Sequence, residues 1–277
     1  MIKKQLVDTY KNQFSDCWAI ILGGSSGFGF AAVEKLARHG MNIAVLYREP
    51  SIAEKKVKES FATLSASTGT IILSFNINAL DAAGREDFIA RFAEQDKKKG
   101  VKLLLHSIAR GNLKPLVSAE EQPGDLNILS AQDIQHTTYA MSNSLLDWVR
   151  ALLKAGLFHA DARIIGLTSE GAHKFWDSYA AVSIAKSSLE SLMTYLAVEL
   201  APYGLKTNII QAGITETPSL KKITGSEKLL HIAKTRNPMG RVTTTKDVAN
   251  VIYLLCTDEA FWINGSVIYA DGGEHCC

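Results

Sequence analysis

Short apolar runs alternate with stretches of helical periodicity along almost the whole chain, and this alternation constrains the fold more than any other feature. The runs are brief and often end at glycine, as strands buried on both faces do. The predicted strands are 17–24, 42–48, 70–77, 101–109, 162–169, 206–213 and 266–273. The predicted helices cover 28–40, the segment from 48 to about 65, 81–98, 130–155, 176–201 and 244–257.

Strands separated by helices pair in parallel through right-handed crossovers. The sequence therefore predicts an α/β fold, a Rossmann-type doubly wound parallel sheet of about seven strands in a single domain. Residues 1–16 are assigned to an N-terminal extension and residues 17–277 to the domain itself. The lysine run at 97–99 is expected to be a solvated cap at the end of a helix.

Charge and hydropathy argue against several classes of protein. The formal net charge is +2 with 21% charged residues, which gives no support to a role on nucleic acid or on a membrane surface. No stretch approaches the ~18 uninterrupted apolar residues of a membrane span. The two lysines near the start precede no apolar run, so the N-terminus does not read as a secretory signal.

The four cysteines show no spacing typical of a zinc site, and we expect no metal. Cys17 and Cys256 fall where core residues are predicted. Cys276 and Cys277 end the chain and are interpreted as thiols of a mobile tail, with a redox or inter-subunit role as the alternative. The lack of a disulfide framework favours a cytoplasmic location.

A glycine-rich junction joins the first predicted strand to the first predicted helix. Gly23 permits a tight turn, Gly27 lets the backbone approach a pyrophosphate, and Gly29 allows close packing of helix on strand. The helix N-terminus then offers free N–H groups to phosphates. We predict a dinucleotide site whose contacts here are Gly23, Ser25, Ser26, Gly27, Phe28 and Gly29.

The end of the second predicted strand selects the dinucleotide. An acid at this place normally binds the ribose 2′-hydroxyl of NAD. This chain has Tyr47 and Arg48, and a guanidinium can pair with a 2′-phosphate through two parallel hydrogen bonds. The sequence favours NADPH, and Glu49 one step beyond keeps NADH open as the less favoured cofactor.

Further motifs follow the glycine junction at characteristic places. They are Tyr179 with Lys186, Ala212-Gly213 leading to Thr217, Pro238-Met239-Gly240-Arg241, and Asp271-Gly272-Gly273. With that junction, they resemble the short-chain dehydrogenase/reductase superfamily over roughly residues 15–275. The resemblance implies the fold, a pyridine nucleotide and a homotetramer.

The tyrosine spacing is more specific. Most members of that superfamily have a tyrosine four positions before the lysine, where this chain has Val182; here Tyr179 stands seven positions before Lys186. That spacing resembles the enoyl-acyl-carrier-protein reductases, as do the segment 105–109 and the run 187–190. Taken together, the motifs of this chain resemble the more divergent, NADPH-dependent branch of those reductases.

Three departures from those reductases stand out. Many of them carry a second tyrosine ten positions before the catalytic one, where this chain has Ser169; counted from Lys186, Ser169 also falls at the catalytic serine of the commoner superfamily. Asn76 replaces an acid that often holds the adenine. The glycine junction has the spacing of the commoner superfamily. These departures bear on the substrate more than on the fold.

The resemblance implies a site that reduces the carbon–carbon double bond of a trans-2-enoyl thioester, carried on acyl carrier protein or coenzyme A. Tyr179 would donate to the developing enolate oxygen, with Ser169 as a second donor, and Lys186 would bind the nicotinamide ribose. On a helix, residues seven apart share one face. The further candidate cofactor contacts are Asn76, Ile77, Ser107, Ile108, Ala109, Thr168, Gly213, Thr215 and Thr217.

Two histidines invite a catalytic role that we do not assign. His106 ends a predicted strand, where histidines are more often hydrogen-bonded packing residues. His173 is likewise not expected to act as a general acid.

Two long connections, 110–129 and 214–236, would emerge at the carboxyl ends of strands, where open α/β sheets bind ligands. Residues 214–236 are predicted to form a lid over the acyl chain. Its apolar members are Leu220, Ile223, Leu229, Leu230 and Ile232, and its Lys221, Lys222, Lys228 and Lys234 either meet an acidic carrier or stay solvated.

The sequence is also compatible with two other functions. A carbonyl/alcohol oxidoreductase of the same superfamily, such as a 3-ketoacyl reductase or a tailoring dehydrogenase, would use Ser169, Tyr179 and Lys186 on a ketone. A non-catalytic nucleotide-binding protein on the same fold would bind the dinucleotide without turnover.

Overall fold

The computed structural model describes residues 13–94, 100–118, 127–223 and 225–277. Within them a seven-stranded parallel sheet runs in the order β3-β2-β1-β4-β5-β6-β7. The strands are β1 (Trp18–Leu22), β2 (Asn42–Tyr47), β3 (Ile72–Asn76), β4 (Val101–His106), β5 (Phe158–Ser169), β6 (Lys206–Ala212) and β7 (Val267–Ala270). The fold predicted from the sequence is confirmed.

The strand order reverses between β1 and β4, which lie side by side although β2 and β3 separate them in the chain. Such a reversal opens a crevice at the carboxyl ends of the strands, where doubly wound folds bind their ligands. The predicted glycine junction and the segment after β4 therefore face each other across this crevice.

Helices cover both faces of the sheet. The helices are α1 (Gly27–Ala37), α2 (Ser51–Thr68), α3 (Ala82–Ala93), α4 (Ala131–Thr138), α5 (Ser144–Lys154), α6 (Ala180–Glu199), α7 (Ser226–Arg236) and α8 (Thr245–Cys256). Residues of α1, α2 and α8 form one core with the sheet, and residues of α3, α5 and α6 form the other. Cys17 and Cys256 are buried in the first core, as the sequence predicted.

Two helices differ from their predicted form. The helix predicted over 130–155 contains a π-helical turn at Tyr139–Asn143 between α4 and α5. Helix α6 begins at Ala180, a few residues later than predicted, so Tyr179 is its N-cap residue and lies just outside the helix. Both differences fall beside the cavity described below, and π-helical turns are frequent at functional sites.

The structure describes only the last part of the predicted N-terminal extension. Residues 1–12 of the predicted N-terminal extension and the lysine run at 97–99 lie outside the described residues. The end of the extension packs on the domain, because Phe14 is buried in the core beside Tyr253. Within the described part of the chain, no helix is both long and apolar enough to cross a bilayer.

Candidate functional site

The glycine junction forms a tight loop between β1 and α1. A Cβ built on Gly29 would lie 2.2 Å from the Gly23 carbonyl oxygen, and one on Gly23 would lie 2.7 Å from the carbonyl oxygen of Ser107. Gly27 has a φ of +57°, a conformation that favours glycine. Among the described residues, the Ser26 side chain caps none of the first-turn N–H groups of α1. The helix N-terminus is thus open to an anionic ligand.

The carboxyl ends of β2 and β3 are tied together beside this loop. The Asn76 side chain accepts from the Glu49 N–H and donates to the Glu49 carbonyl, both at 2.9 Å. The Ser25 hydroxyl donates to the Glu49 carboxylate at 2.8 Å. Arg48 is exposed, whereas the Tyr47 side chain is buried in the core near Phe61. Arg48 is therefore free to meet a ligand that the Tyr47 ring cannot reach.

A cavity of about 250 Å³ opens at the carboxyl ends of β4, β5 and β6. Many of the residues predicted from the sequence line it together, among them both members of the tyrosine–lysine pair. These are Phe28, Ser107, Ile108, Ala109, Thr168, Ser169, Tyr179, Lys186, Gly213, Thr215 and Thr217. Leu220, Lys222, Ile223 and Leu229 of the predicted lid also line it, with Gly111 and Leu113 of the other long connection.

The remaining predicted contacts lie away from the cavity lining. They belong to the glycine loop and to the ends of β2 and β3, and they are Gly23, Ser25, Ser26, Gly27, Gly29, Tyr47, Arg48, Asn76 and Ile77. The two groups meet where a Cβ on Gly27 would touch the Thr217 side chain at 3.8 Å. The predicted site is thus one continuous strip along the edge of the sheet.

Tyr179 and Ser169 face each other inside the cavity, with their hydroxyl oxygens 3.2 Å apart. Ser169 ends β5, and Tyr179 directly precedes α6. The turn before Tyr179 is strained, because Ser178 has a φ of +57°. Gly171 makes room for the phenol, since a Cβ there would lie 2.6 Å from the ring. Burial raises the pKa of Tyr179, although the Ser169 hydroxyl opposes this, so the phenol stays protonated at neutral pH.

Lys186 is buried about two helical turns beyond Tyr179, and its ammonium donates to the Leu167 carbonyl at 2.6 Å. Burial lowers the pKa of Lys186 to about 8, with partial compensation from the Glu190 carboxylate. Glu190 also accepts a hydrogen bond from Thr168 at 2.5 Å. Thr168 therefore has its hydroxyl engaged within the protein, and Lys186 carries its charge at neutral pH.

Neither histidine near the site has the setting of a general acid. His106 is buried, and its Nε2 lies 3.0 Å from the Ser144 hydroxyl. Burial, assisted by the Lys186 charge, lowers the pKa of His106 to about 3, so the imidazole stays neutral. His173 is exposed and contacts Glu190 at 2.8 Å. The prediction that His106 is a hydrogen-bonded packing residue is confirmed.

The threonines after β6 are held by their own segment. The Thr217 hydroxyl accepts from the Leu220 N–H at 3.1 Å, at the start of the short 3-10 helix Leu220–Lys222. The Thr215 hydroxyl donates to the Gly213 carbonyl at 2.9 Å. Their roles toward a cofactor remain predictions.

Sequence reasoning missed a partly buried ionic cluster on one side of the cavity. Arg236, at the end of α7, donates to Glu170 at 2.6 Å and to Glu274 at 2.7 Å. Lys174 adds a contact to Glu170 at 2.6 Å. The cluster joins the lid helix to the residue after Ser169 and to the C-terminus. Arg236 stands far from both Glu170 and Glu274 in the chain, and the position of Glu170 directly after Ser169 was the one available signal.

Comparisons with known proteins agree with this geometry. The family model described as enoyl-(acyl carrier protein) reductase matches residues 23–275. The enoyl-[acyl-carrier-protein] reductase [NADH] of Aquifex aeolicus is 28% identical over 93% of this chain and 90% of its own length. The 1-cyclohexenylcarbonyl-CoA reductase of Streptomyces collinus is 27% identical over 92% and 85%.

Solved structures share the fold. The crystal structure of the Aquifex aeolicus enoyl-[acyl-carrier-protein] reductase (NADH) gives a TM-score of 0.77 at 24% identity and covers 96% of this chain and 98% of that one. The corresponding enzyme of Candidatus Liberibacter asiaticus gives 0.79 at 20% identity over 96% and 98%. Because the family model spans most of the sequence, the chain belongs to the enoyl-(acyl carrier protein) reductase family, within the short-chain dehydrogenases/reductases, and is a nicotinamide-nucleotide-dependent oxidoreductase.

Proposed function

We propose that the protein reduces the carbon–carbon double bond of a trans-2-enoyl thioester with NADPH. The observation that carries the proposal is the partly buried Tyr179 hydroxyl, 3.2 Å from Ser169, in a largely apolar cavity that Lys186 also lines. Family membership and the seven-residue spacing of Tyr179 and Lys186 support it.

The glycine loop fits a dinucleotide. Its Cβ positions would collide with backbone at 2.2 and 2.7 Å, so the loop is built for close backbone approach, and the uncapped N-terminus of α1 offers N–H groups to a pyrophosphate. When bound, the dinucleotide supplies the hydride that reduces the substrate. In the proposal, Ser107, Ile108, Ala109, Gly213, Thr215 and Thr217 border it along the cavity.

The side chains of the cavity act on the charge that the reduction creates. Addition of a hydride to the β-carbon leaves negative charge on the thioester oxygen as an enolate. The Tyr179 phenol donates a hydrogen bond to that oxygen, and it does so as a neutral group because burial raises its pKa. The Lys186 ammonium favours the same negative charge. Ser169 holds the phenol and is the second donor within reach.

The preference for NADPH rests on Arg48. Its exposed side chain follows β2 at the place where a 2′-phosphate would lie, and guanidinium pairs with phosphate through parallel hydrogen bonds. Glu49 is the group that would favour NADH, but its carboxylate is already engaged by the Ser25 hydroxyl. Several relatives are named as NADH enzymes, so this preference is a property we propose for this chain.

The thioester substrate is proposed from the lid. Leu220, Ile223 and Leu229 line the cavity and offer apolar contact to an acyl chain. The named relatives act on acyl-carrier-protein and coenzyme A thioesters, and in the proposal Lys222, which lines the cavity, meets the anionic part of either carrier. A homotetramer, a cytoplasmic location and a part in fatty acid biosynthesis belong to the proposal on family resemblance.

One observation favours a second candidate, reduction of a carbonyl. The Ser169 hydroxyl next to Tyr179 could hold a ketone oxygen together with the phenol. The test follows NADPH absorbance with purified protein and two thioesters of matched chain length, one trans-2-enoyl and one 3-ketoacyl. Oxidation of NADPH by the enoyl thioester alone is expected, whereas oxidation by the ketoacyl thioester alone would establish the second candidate.

A further inference from the structure

Three side chains at the C-terminus form a relay beside the cavity. The Cys276 sulfur lies 3.3 Å from Nε2 of His275, and Nδ1 of His275 lies 2.6 Å from the Asp271 carboxylate. Asp271 is 3% exposed, His275 lines the cavity, and Cys276 is exposed. A nucleophile, a base and a group that orients the base are thus within contact distance of one another.

The Asp271 carboxylate fixes the imidazole. This carboxylate also accepts hydrogen bonds from the backbone N–H groups of Gly273 and His275, each at 3.0 Å, so its position is fixed by the main chain. Because a carboxylate accepts, Nδ1 of His275 carries the proton and Nε2 presents its lone pair to the Cys276 thiol. The ring is also stacked on Tyr269, with centroids 3.8 Å apart.

The backbone that carries Cys276 is held in place, which differs from the mobile tail expected from the sequence. Residues Glu274–Cys276 form a short 3-10 helix, and the Cys276 N–H donates to the Gly273 carbonyl at 3.1 Å. Glu274 is 2% exposed and pairs with Arg236. The tail therefore presents one thiol in a fixed position against an imidazole while leaving its sulfur open to solvent.

We propose that Cys276 is a reactive thiol, a modification site at the edge of the cavity that forms mixed disulfides with low-molecular-weight disulfides. His275 takes the thiol proton, and the Asp271 carboxylate stabilises the resulting imidazolium. The Cys276 thiolate attacks one sulfur of the small disulfide, whose S–S bond breaks as the new one forms. The other half leaves as a thiolate and takes the proton from His275. Cys276 is thereby oxidised and the small disulfide reduced, so no other oxidant is required.

The chain contains its own control in Cys277. This residue is also exposed and its N–H also bonds back to the 3-10 turn, but the His275 imidazole contacts the sulfur of Cys276. Cys17 and Cys256 are buried, and burial raises the pKa of Cys256 to about 12. Labelling of the folded protein therefore reports the two terminal thiols.

The experiment measures the rate at which the full-length, reduced protein releases nitrothiobenzoate from dithiobis(nitrobenzoate) near neutral pH. A fast phase is expected in the unmodified sequence and in Cys277→Ser, and its loss is expected in Cys276→Ser. His275→Phe keeps an aromatic ring on Tyr269 but removes the base, and should slow the fast phase at least about tenfold. Thermal unfolding of each variant confirms that the tail change leaves the fold intact.

A second measurement identifies the product. After incubation with glutathione disulfide, peptide mass spectrometry should locate the adduct on Cys276 before Cys277 is modified. Equal rates for the two cysteines, or an unchanged fast phase in folded His275→Phe, would overturn the proposal.

Discussion

The carboxyl edge of the sheet divides between β1 and β4, and its two halves present different parts of the chain to a ligand. On the β1–β3 half, the close contacts are made by backbone: a Cβ on Gly29 would lie 2.2 Å from a carbonyl oxygen, and the Asn76 amide is engaged by the Glu49 backbone. On the β4–β6 half, side chains converge, with the Tyr179 and Ser169 hydroxyls 3.2 Å apart.

This difference separates binding from chemistry. A pyrophosphate is part of every nicotinamide dinucleotide and can be held by backbone N–H groups, which all residues except proline possess. A developing enolate needs a hydrogen-bond donor at one point, and in the proposed mechanism the Tyr179 phenol is that donor. We therefore expect substitutions on the first half to change dinucleotide affinity and those on the second half to change turnover.

The largest effect is expected from Tyr179→Phe, which removes the donor and keeps the ring. Turnover of an enoyl thioester should fall by about 10²–10⁴. Dinucleotide affinity, measured by fluorescence titration, should stay within about twofold because the glycine loop is untouched. Ser169→Ala removes the second hydroxyl of the pair and should lower turnover less than Tyr179→Phe does. Unchanged turnover in Tyr179→Phe would remove the phenol from the mechanism.

Gly29→Ala tests the other half. Its Cβ would meet the Gly23 backbone, and relieving that overlap should cost roughly 1–3 kcal/mol and move the loop. Dinucleotide affinity should fall at least about tenfold. The control is Gly69→Ala, outside the loop, where a Cβ would meet nothing within 4 Å and the cost comes only from the left-handed φ of +75°, which Gly29 does not share. If both variants bind equally well, backbone approach at the loop is not what holds the dinucleotide.

Arg48→Ala sharpens the comparison within the first half, since the proposed preference for NADPH rests on the Arg48 side chain. A charge-assisted pair contributes about 1.5–3 kcal/mol, so NADPH affinity should drop by about 10–100-fold. NADH affinity should barely change. Glu49→Gln is the counterpart and should weaken NADH more than NADPH. Parallel losses for both dinucleotides in Arg48→Ala would contradict the proposed preference.

The smallest effect concerns pH. Burial lowers the pKa of Lys186 to about 8, so the ammonium is present below that pH and is lost above it. Turnover at saturating substrate should decline by at most roughly tenfold per pH unit on the alkaline side. Burial raises the pKa of Tyr179, so ionisation of the phenol does not cause this alkaline decline in turnover. In Lys186→Arg, the residual turnover should show no decline near that pH, because the guanidinium keeps its charge.

The sequence could predict those features of the site whose residues lie close together in the chain. Gly23, Gly27 and Gly29 stand within seven residues, and Tyr179 is the N-cap residue of the helix that carries Lys186, so each group is placed by one loop or by one helix and its cap. The alternation of apolar and helical segments predicted the sheet because buried parallel strands have a distinctive pattern.

The features that were missed depend on long-range contact or on the side of a strand. Arg236 meets Glu170 and Glu274 across 66 and 38 positions, and no local pattern links them. Tyr47 lies in a strand buried on nearly all sides, where no polar alternation indicates which face its ring takes. The π-helical turn at Tyr139–Asn143 likewise has no signature in its apolar and polar periodicity.

The most direct test of the account follows the transferred hydrogen. NADPH carrying deuterium at the transferable position is supplied with a trans-2-enoyl thioester and, separately, with a 3-ketoacyl thioester, and the products are analysed by mass spectrometry and NMR. The account predicts deuterium on the β-carbon of a saturated thioester, in amounts that fall sharply with Tyr179→Phe, and no labelled product from the ketoacyl substrate. Deuterium on a hydroxyl-bearing carbon, with the enoyl thioester recovered unchanged, would contradict it.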